Sequence, residues 1–172
     1  MGMFYTGIGS RNTPEAITDL MGDIAEQLGK SGWILRTGGA TGADEAFLLR
    51  AVGKRLPYEL YLPWKSYSSV DSTLSQPTDI AYQVSAKYHP TWGRLSQAGR
   101  ALHARNAHCV LGKDCKTPSR FVLCYTPQAN GTGGTGQGIR IAKAYHIPVF
   151  DLGDTEVVLR MQRFLQHIDM LS

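Results

Sequence analysis

Short apolar runs and stretches with apolar residues three or four apart follow one another along this chain, the signatures of strands and helices in turn. Met3-Phe4-Tyr5-Thr6-Gly7-Ile8 is a β-rich run ending near glycine and predicts a first strand. Thr13-Pro14-Glu15 then supplies an N-cap, a first-turn proline and an acid suited to a helix start. Ile17, Leu20, Met21, Ile24, Ala25 and Leu28 recur at helical spacing, with Gly29 or Gly32 as the stop. Trp33-Ile34-Leu35-Arg36 is the second strand, running straight into glycines. A helix over 43–52 follows, with Ala46, Phe47, Leu48 and Leu49 as its apolar surface, Glu45 and Arg50 facing outward, and Gly53 ending it.

Glu59-Leu60-Tyr61-Leu62 reads as the third strand, closed by Pro63. Residues 65–90 are polar and turn-rich, which predicts a surface excursion with short helical pieces. Leu95, Ala98, Leu102 and Arg105 share one face of a helix over 91–107. Phe121-Val122-Leu123-Cys124-Tyr125 lacks alternation, as a strand buried on both faces should. Ile139, Ile141, Ala142 and Tyr145 mark the helix after Gly134, and Ile147-Pro148-Val149-Phe150 a fifth strand. Val157, Val158, Met161, Phe164, Leu165 and Ile168 form a final amphipathic helix whose apolar face suits either a core or a homo-oligomer contact. Strands alternating with helices imply right-handed crossovers. The expected fold is therefore α/β and Rossmann-like: a mainly parallel sheet of five or more strands, helices on both faces, in one domain spanning 1–172.

Composition agrees. Hydrophobic residues make up 42% of the 172 and charged residues 19%, enough for a packed core and against disorder. No apolar run approaches the ~20 residues of a membrane span, and no basic-then-apolar leader precedes the first strand, so the expected location is the cytoplasm with no membrane partner. Gly2-x-x-x-Thr6 matches a myristoylation pattern only formally, because both residues sit in or beside the first strand. Cys109, Cys115 and Cys124 are odd in number and lack zinc-site spacing, so reduced thiols are expected. His89, His103 and His108 also match no common metal spacing, and no metal or cofactor is expected.

Charge and glycine are both localised. Between Ser85 and Arg120 seven basic residues face Asp114 alone, a net of +6 in a chain whose total is +4. That segment suits an anionic partner. Of the 19 glycines, ten fall in three clusters: Gly7 and Gly9; Gly38, Gly39 and Gly42; and Gly131, Gly133, Gly134, Gly136 and Gly138. Each cluster follows a strand and opens a helix. In a parallel sheet such loops meet at the carboxyl edge, where backbone amides and helix N-termini receive phosphate. Gly9, Ser10, Arg11, Gly38, Gly39, Gly42, Gly133, Gly134, Thr135, Gly136 and Gln137 form the expected phosphate-binding set, with Asn106 beside them. Arg11 offers a bidentate guanidinium. There is no Gly-Lys-Ser/Thr, hence no Walker loop, and Asn12 replaces the third glycine of a dinucleotide fingerprint.

Tyr5-Thr6-Gly7-Ile8-Gly9-Ser10-Arg11, Arg36-Thr37-Gly38-Gly39-Ala40-Thr41-Gly42-Ala43-Asp44, Arg105-Asn106 and Gly133-Gly134-Thr135, in that order, resemble the SLOG group of Rossmann-like proteins. That group includes the DNA-processing protein A recombination mediators and the lonely-guy nucleoside-monophosphate phosphoribohydrolases. The resemblance spans about residues 3–151 and is specific to the superfamily, not to one activity. The lonely-guy pattern carries a catalytic glutamate three residues after its Gly-Thr, where this chain has Gly138; Arg105 matches the arginine of their preceding helix. Gly42-Ala43-Asp44 and Arg105-Asn106 resemble DNA-processing protein A.

Asp44, Glu45 and Arg105 are the candidate catalytic residues, the acids as general base or ribose ligands and the arginine on a phosphate. Each has a plainer role in view: dipole complement for the acids, and a salt bridge for Arg105. Trp64, Tyr67, Tyr88 and Trp92 are candidates for base stacking or for roofing a core. Three functions follow: a small-nucleotide site, with or without N-glycoside hydrolysis; a single-stranded DNA binder of the recombination-mediator kind; and a non-catalytic sensor of a nucleotide signal.

Overall fold

In the computed structural model, which describes residues 2–171, five strands form one parallel sheet of order β3-β2-β1-β4-β5. They are β1 (Met3–Gly7), β2 (Trp33–Thr37), β3 (Tyr58–Leu60), β4 (Val122–Cys124) and β5 (Val149–Asp151). The register sets Tyr5 beside Leu35, and Thr6 beside both Arg36 and Val122. Chain order reverses between β1 and β4, so the loops leaving these strands turn opposite ways and open a crevice.

Both faces are covered. Helices α1 (Glu15–Lys30), α2 (Ala43–Gly53) and α6 (Thr155–Leu171) enclose a core around Tyr5, Met21, Ile24, Phe47 and Leu123. Helices α3 (Asp79–Tyr88), α4 (Gln97–Leu111) and α5 (Gly133–Ala144) enclose another around Ile8, Tyr61, Val110 and Ile141. The apolar face of α6 belongs to the core, since Val157, Val158, Met161 and Leu165 pack there. The three cysteines are buried, free thiols.

Several local expectations give way to packing. Thr13 does not cap α1: its hydroxyl donates to the Ser10 carbonyl at 2.6 Å, and Pro14 stands at the helix start. Gly29 stays inside α1, where a Cβ would meet the Leu56 side chain at 2.6 Å. Leu49 faces solvent. Residues 65–90 are only in part an excursion. After a 3-10 turn at Lys65–Tyr67 they form α3, which lays Ala81 and Ser85, both fully buried, against α4 and α5. That stripe of small residues is too narrow to register as an amphipathic pattern.

Arg36 is the largest buried side chain and staples β2 to its surroundings. Its Nε donates to Glu59 Oε1 at 3.0 Å, its Nη1 donates to the Thr117 carbonyl, and its guanidinium lies 3.8 Å from the Phe4 ring centroid. A charge so placed is tolerated because its donors have partners.

Candidate functional site

A cleft of about 460 Å³ opens at the carboxyl ends of β1 and β4, within the usual range of small-molecule sites, roughly 300–1,000 Å³. Four segments line it. The loop after β1 contributes Ile8, Gly9, Ser10 and Arg11; the loop after β2, with the start of α2, contributes Ala40 and Asp44. Helix α4 presents Gly99, Leu102, His103, Arg105 and Asn106, and the loop before α5 presents Pro127 and Thr132 to Thr135.

The first two loops are closed by an acid from within the chain. Asp44 is buried, and its carboxylate accepts the N–H of Gly9 at 3.1 Å and of Ala40 at 3.4 Å. Ser10 donates its N–H to the Tyr125 carbonyl at 3.0 Å and accepts from the Ala43 N–H at 3.3 Å. Burial pushes the Asp44 carboxyl above its ordinary range, while Arg105 and the N–H groups of Ala40, Gly9 and Gly38 oppose that shift. The Arg105 guanidinium donates to the Gly38 carbonyl and, through Nε, to the Leu102 carbonyl at 3.3 Å. It stands under the Tyr67 ring, 5.5 Å from its centroid. Asp44 and Arg105 thus hold backbone in place before any ligand arrives.

The third loop differs. Helix α5 has no side-chain N-cap, so its first-turn N–H groups, those of Gly133, Gly134 and Thr135, stand at the cleft wall without intrahelical partners. Asn106 fixes this turn by donating from Nδ2 to the Gly134 carbonyl at 3.0 Å. Arg11, which also lines the cleft, is exposed and has no ion-pair partner among the described residues.

Glycines in the first two clusters are explained by close packing. A Cβ at Gly9 would meet that of Ala43 at 2.6 Å, and one at Gly38 would meet Arg105 Cδ at 2.5 Å. Gly42 has φ +85° and abuts the Ser10 carbonyl oxygen. Gly38, Gly39 and Gly42 therefore shape the second loop from behind and do not line the cleft. Gly136 and Gln137 also lie outside it. Gln137 is buried and donates to the Ser85 carbonyl and hydroxyl, both at 2.8 Å, while accepting from Arg140. Glu45 is exposed and does not line the cleft.

His103 was not among the expected cleft residues, yet it lines the wall two residues before Arg105. Gly99, Leu102, His103 and Asn106 stand at i, i+3, i+4 and i+7, so the helical face running back from Asn106 is the signal that finds it. Its Nδ1 is buried without a hydrogen-bond partner, and its ring lies 4.5 Å from that of His89. Burial, with His89, Arg140 and Arg105 nearby, depresses its pKa to about 4. His108 is elsewhere, stacked on Tyr61 and accepting the Thr78 N–H. No group of three or more metal-ligating side chains occurs among the described residues.

The basic segment is divided. Arg94 and Arg100 stand at the cleft end of α4, where Arg100 lies over Trp92, while Lys113 and Lys116 follow the other end of that 15-residue helix, ~22 Å away. No helix among the described residues is long and apolar enough to cross a membrane.

The sequence matches no protein-family model and no curated protein. The fold is nevertheless a known one, a Rossmann-like α/β fold shared with solved structures. The Moco carrier protein of Chlamydomonas rheinhardtii superposes with a TM-score of 0.57 at 19% identity, over 99% of this chain and 86% of that one. DNA processing protein A from Helicobacter pylori, a single-stranded DNA binder, gives 0.59 at 19% identity over 96% and 80%. The same protein from Streptococcus pneumoniae gives 0.56 at 16% identity over 88% of this chain, which spans only 50% of its length. At these identities the likeness defines the fold alone.

Proposed function

We propose that the cleft binds a phosphate-bearing small molecule of nucleotide size and does not hydrolyse it. The observation that carries this reading is Gly134. Its φ is not in the left-handed region, and a Cβ there would meet no atom within 4 Å, so nothing in the fold requires glycine. Glycine in a helix costs about 0.5–1 kcal/mol relative to alanine. An unexplained glycine at an uncapped helix start, in the cleft that Arg11 also lines, is accounted for by a ligand that occupies the space.

Two features support binding without turnover. Both carboxylate oxygens of Asp44 accept backbone N–H groups, which leaves it poorly placed as a general base. Gly138, the counterpart of the lonely-guy glutamate, packs against Ile8, where a Cβ would lie 2.7 Å from the Ile8 Cδ1.

Calorimetric titration with the four common nucleoside monophosphates tests this, with chromatography for released base. Binding by at least one, lost in Arg11→Ala and without base release, is the expected result; absence of binding by all four, or release of base, overturns it. Single-stranded DNA binding is the second reading, favoured by Trp92 and Arg100 at the cleft end of α4 and by the behaviour of the H. pylori neighbour. It requires oligonucleotide affinity that falls steeply with salt.

A further inference from the structure

A second pocket, of about 510 Å³, lies on the α1 and α6 face of the sheet. Its walls are aromatic: Trp33 at the start of β2, Phe121 just before β4, Phe150 in β5 and Phe164 on α6, with Met161 beside them. Phe121 sits edge-on to Trp33 at 5.0 Å and to Phe150 at 6.0 Å, so these rings hold one another and the pocket is preformed. No acid lines it. The one cation among the described lining residues is Arg160, whose guanidinium stands 5.4 Å from the Phe150 ring centroid. Arg160 makes no ion pair among the described residues, although Glu156 lies one turn earlier on α6.

From this combination we infer that the pocket binds a small carboxylate with a flat apolar body, the body between the rings and the carboxylate on Arg160. An aromatic enclosure recovers the hydrophobic free energy of such a body, and a lone guanidinium at its rim selects an anion over a cation or a neutral molecule. A second copy of the chain fits less well. Among the described side chains of α6, only Leu159 and Phe164 are large, exposed apolar residues, far short of the ~800 Å² per partner of a stable interface.

The test uses the full chain labelled at its methionine methyls, with Met161 assigned through Met161→Leu and 2-naphthoate as the probe. The expected result is a saturable shift of the Met161 resonance, with affinity lowered roughly two- to fivefold in Arg160→Gln, the range of a solvent-exposed ion pair. The neutral analogue 2-naphthylmethanol should bind wild type and Arg160→Gln alike. No Met161 shift at millimolar 2-naphthoate, or equal affinity of that probe for both proteins, overturns the inference. A shift that follows protein concentration alone overturns it in favour of self-association.

Discussion

Asn106 Nδ2 donates to the carbonyl of Gly134 across 3.0 Å and so fastens the middle of α4 to the first turn of α5. The bond sets the direction of the α5 N–H groups at the cleft wall. Asn106→Ala should therefore weaken nucleotide binding while costing about 1 kcal/mol of stability, the worth of one partly buried hydrogen bond. Calorimetry and urea denaturation measure the two effects; unchanged affinity would separate Asn106 from the site.

Gly134→Ala should move stability and binding in opposite directions. The helix gains about 0.5–1 kcal/mol, because no protein atom opposes the new methyl. Ligand affinity should fall by about tenfold or more, equivalent to ~1.4 kcal/mol. A variant that is stabilised and binds normally would remove the argument that a ligand fills this space.

Asp44→Asn should loosen two loops together. An amide cannot accept at both positions as the carboxylate does, and it also leaves Arg105 without its neighbouring negative charge. A loss of about 2–3 kcal/mol is expected. Hydrogen exchange should quicken at Gly9 and Ala40 together, whereas a change confined to one of them would mean that the acid does not bridge the loops.

His103 predicts a pH dependence with a definite sign. Its pKa in the folded chain is depressed to about 4 against an ordinary 6.5. Between those values the unfolded chain takes up a proton that the folded chain refuses, so stability present above pH 6.5 is lost as the pH falls towards 4. Discounted for the half-exposed ring, the effect is about 1 kcal/mol. Thermal unfolding of wild type and His103→Gln across this range should show the difference shrinking on acidification.

Glu59→Gln should destabilise the fold by about 2 kcal/mol, since the buried Arg36 would lose its counter-charge while water reaches the half-exposed Glu59 position. Chemical denaturation checks this, and the same loss should appear with or without ligand, because Arg36 lies outside the cleft.

Much of the architecture could be read from the sequence, because strand runs ending in glycine and helices with clean periodicity report burial directly. All five strands and the long helices lie near their expected positions. Helix α3 was hidden because it buries alanine and serine, residues that carry little hydrophobic signal. The glycine clusters do lie at the carboxyl edge of the sheet, but for a mixed reason. Gly9, Gly38 and Gly42 answer to side chains and carbonyls that approach from elsewhere in the fold, contacts that no local pattern reveals. The inward role of Asp44 did leave a trace. It shares a helical face with Leu48 and Ala51, both buried, and an acid on an apolar stripe is more than a dipole complement.

The carboxylate of Asp44 occupies, permanently, the place where a bound anion would otherwise organise the first two loops. An arriving ligand thus finds those loops already assembled and meets its open N–H groups at the glycine turn that begins α5. Association should be quick and should leave the amide exchange of Gly9 and Ala40 almost unaltered, so that the response to ligand is confined to residues 131–135.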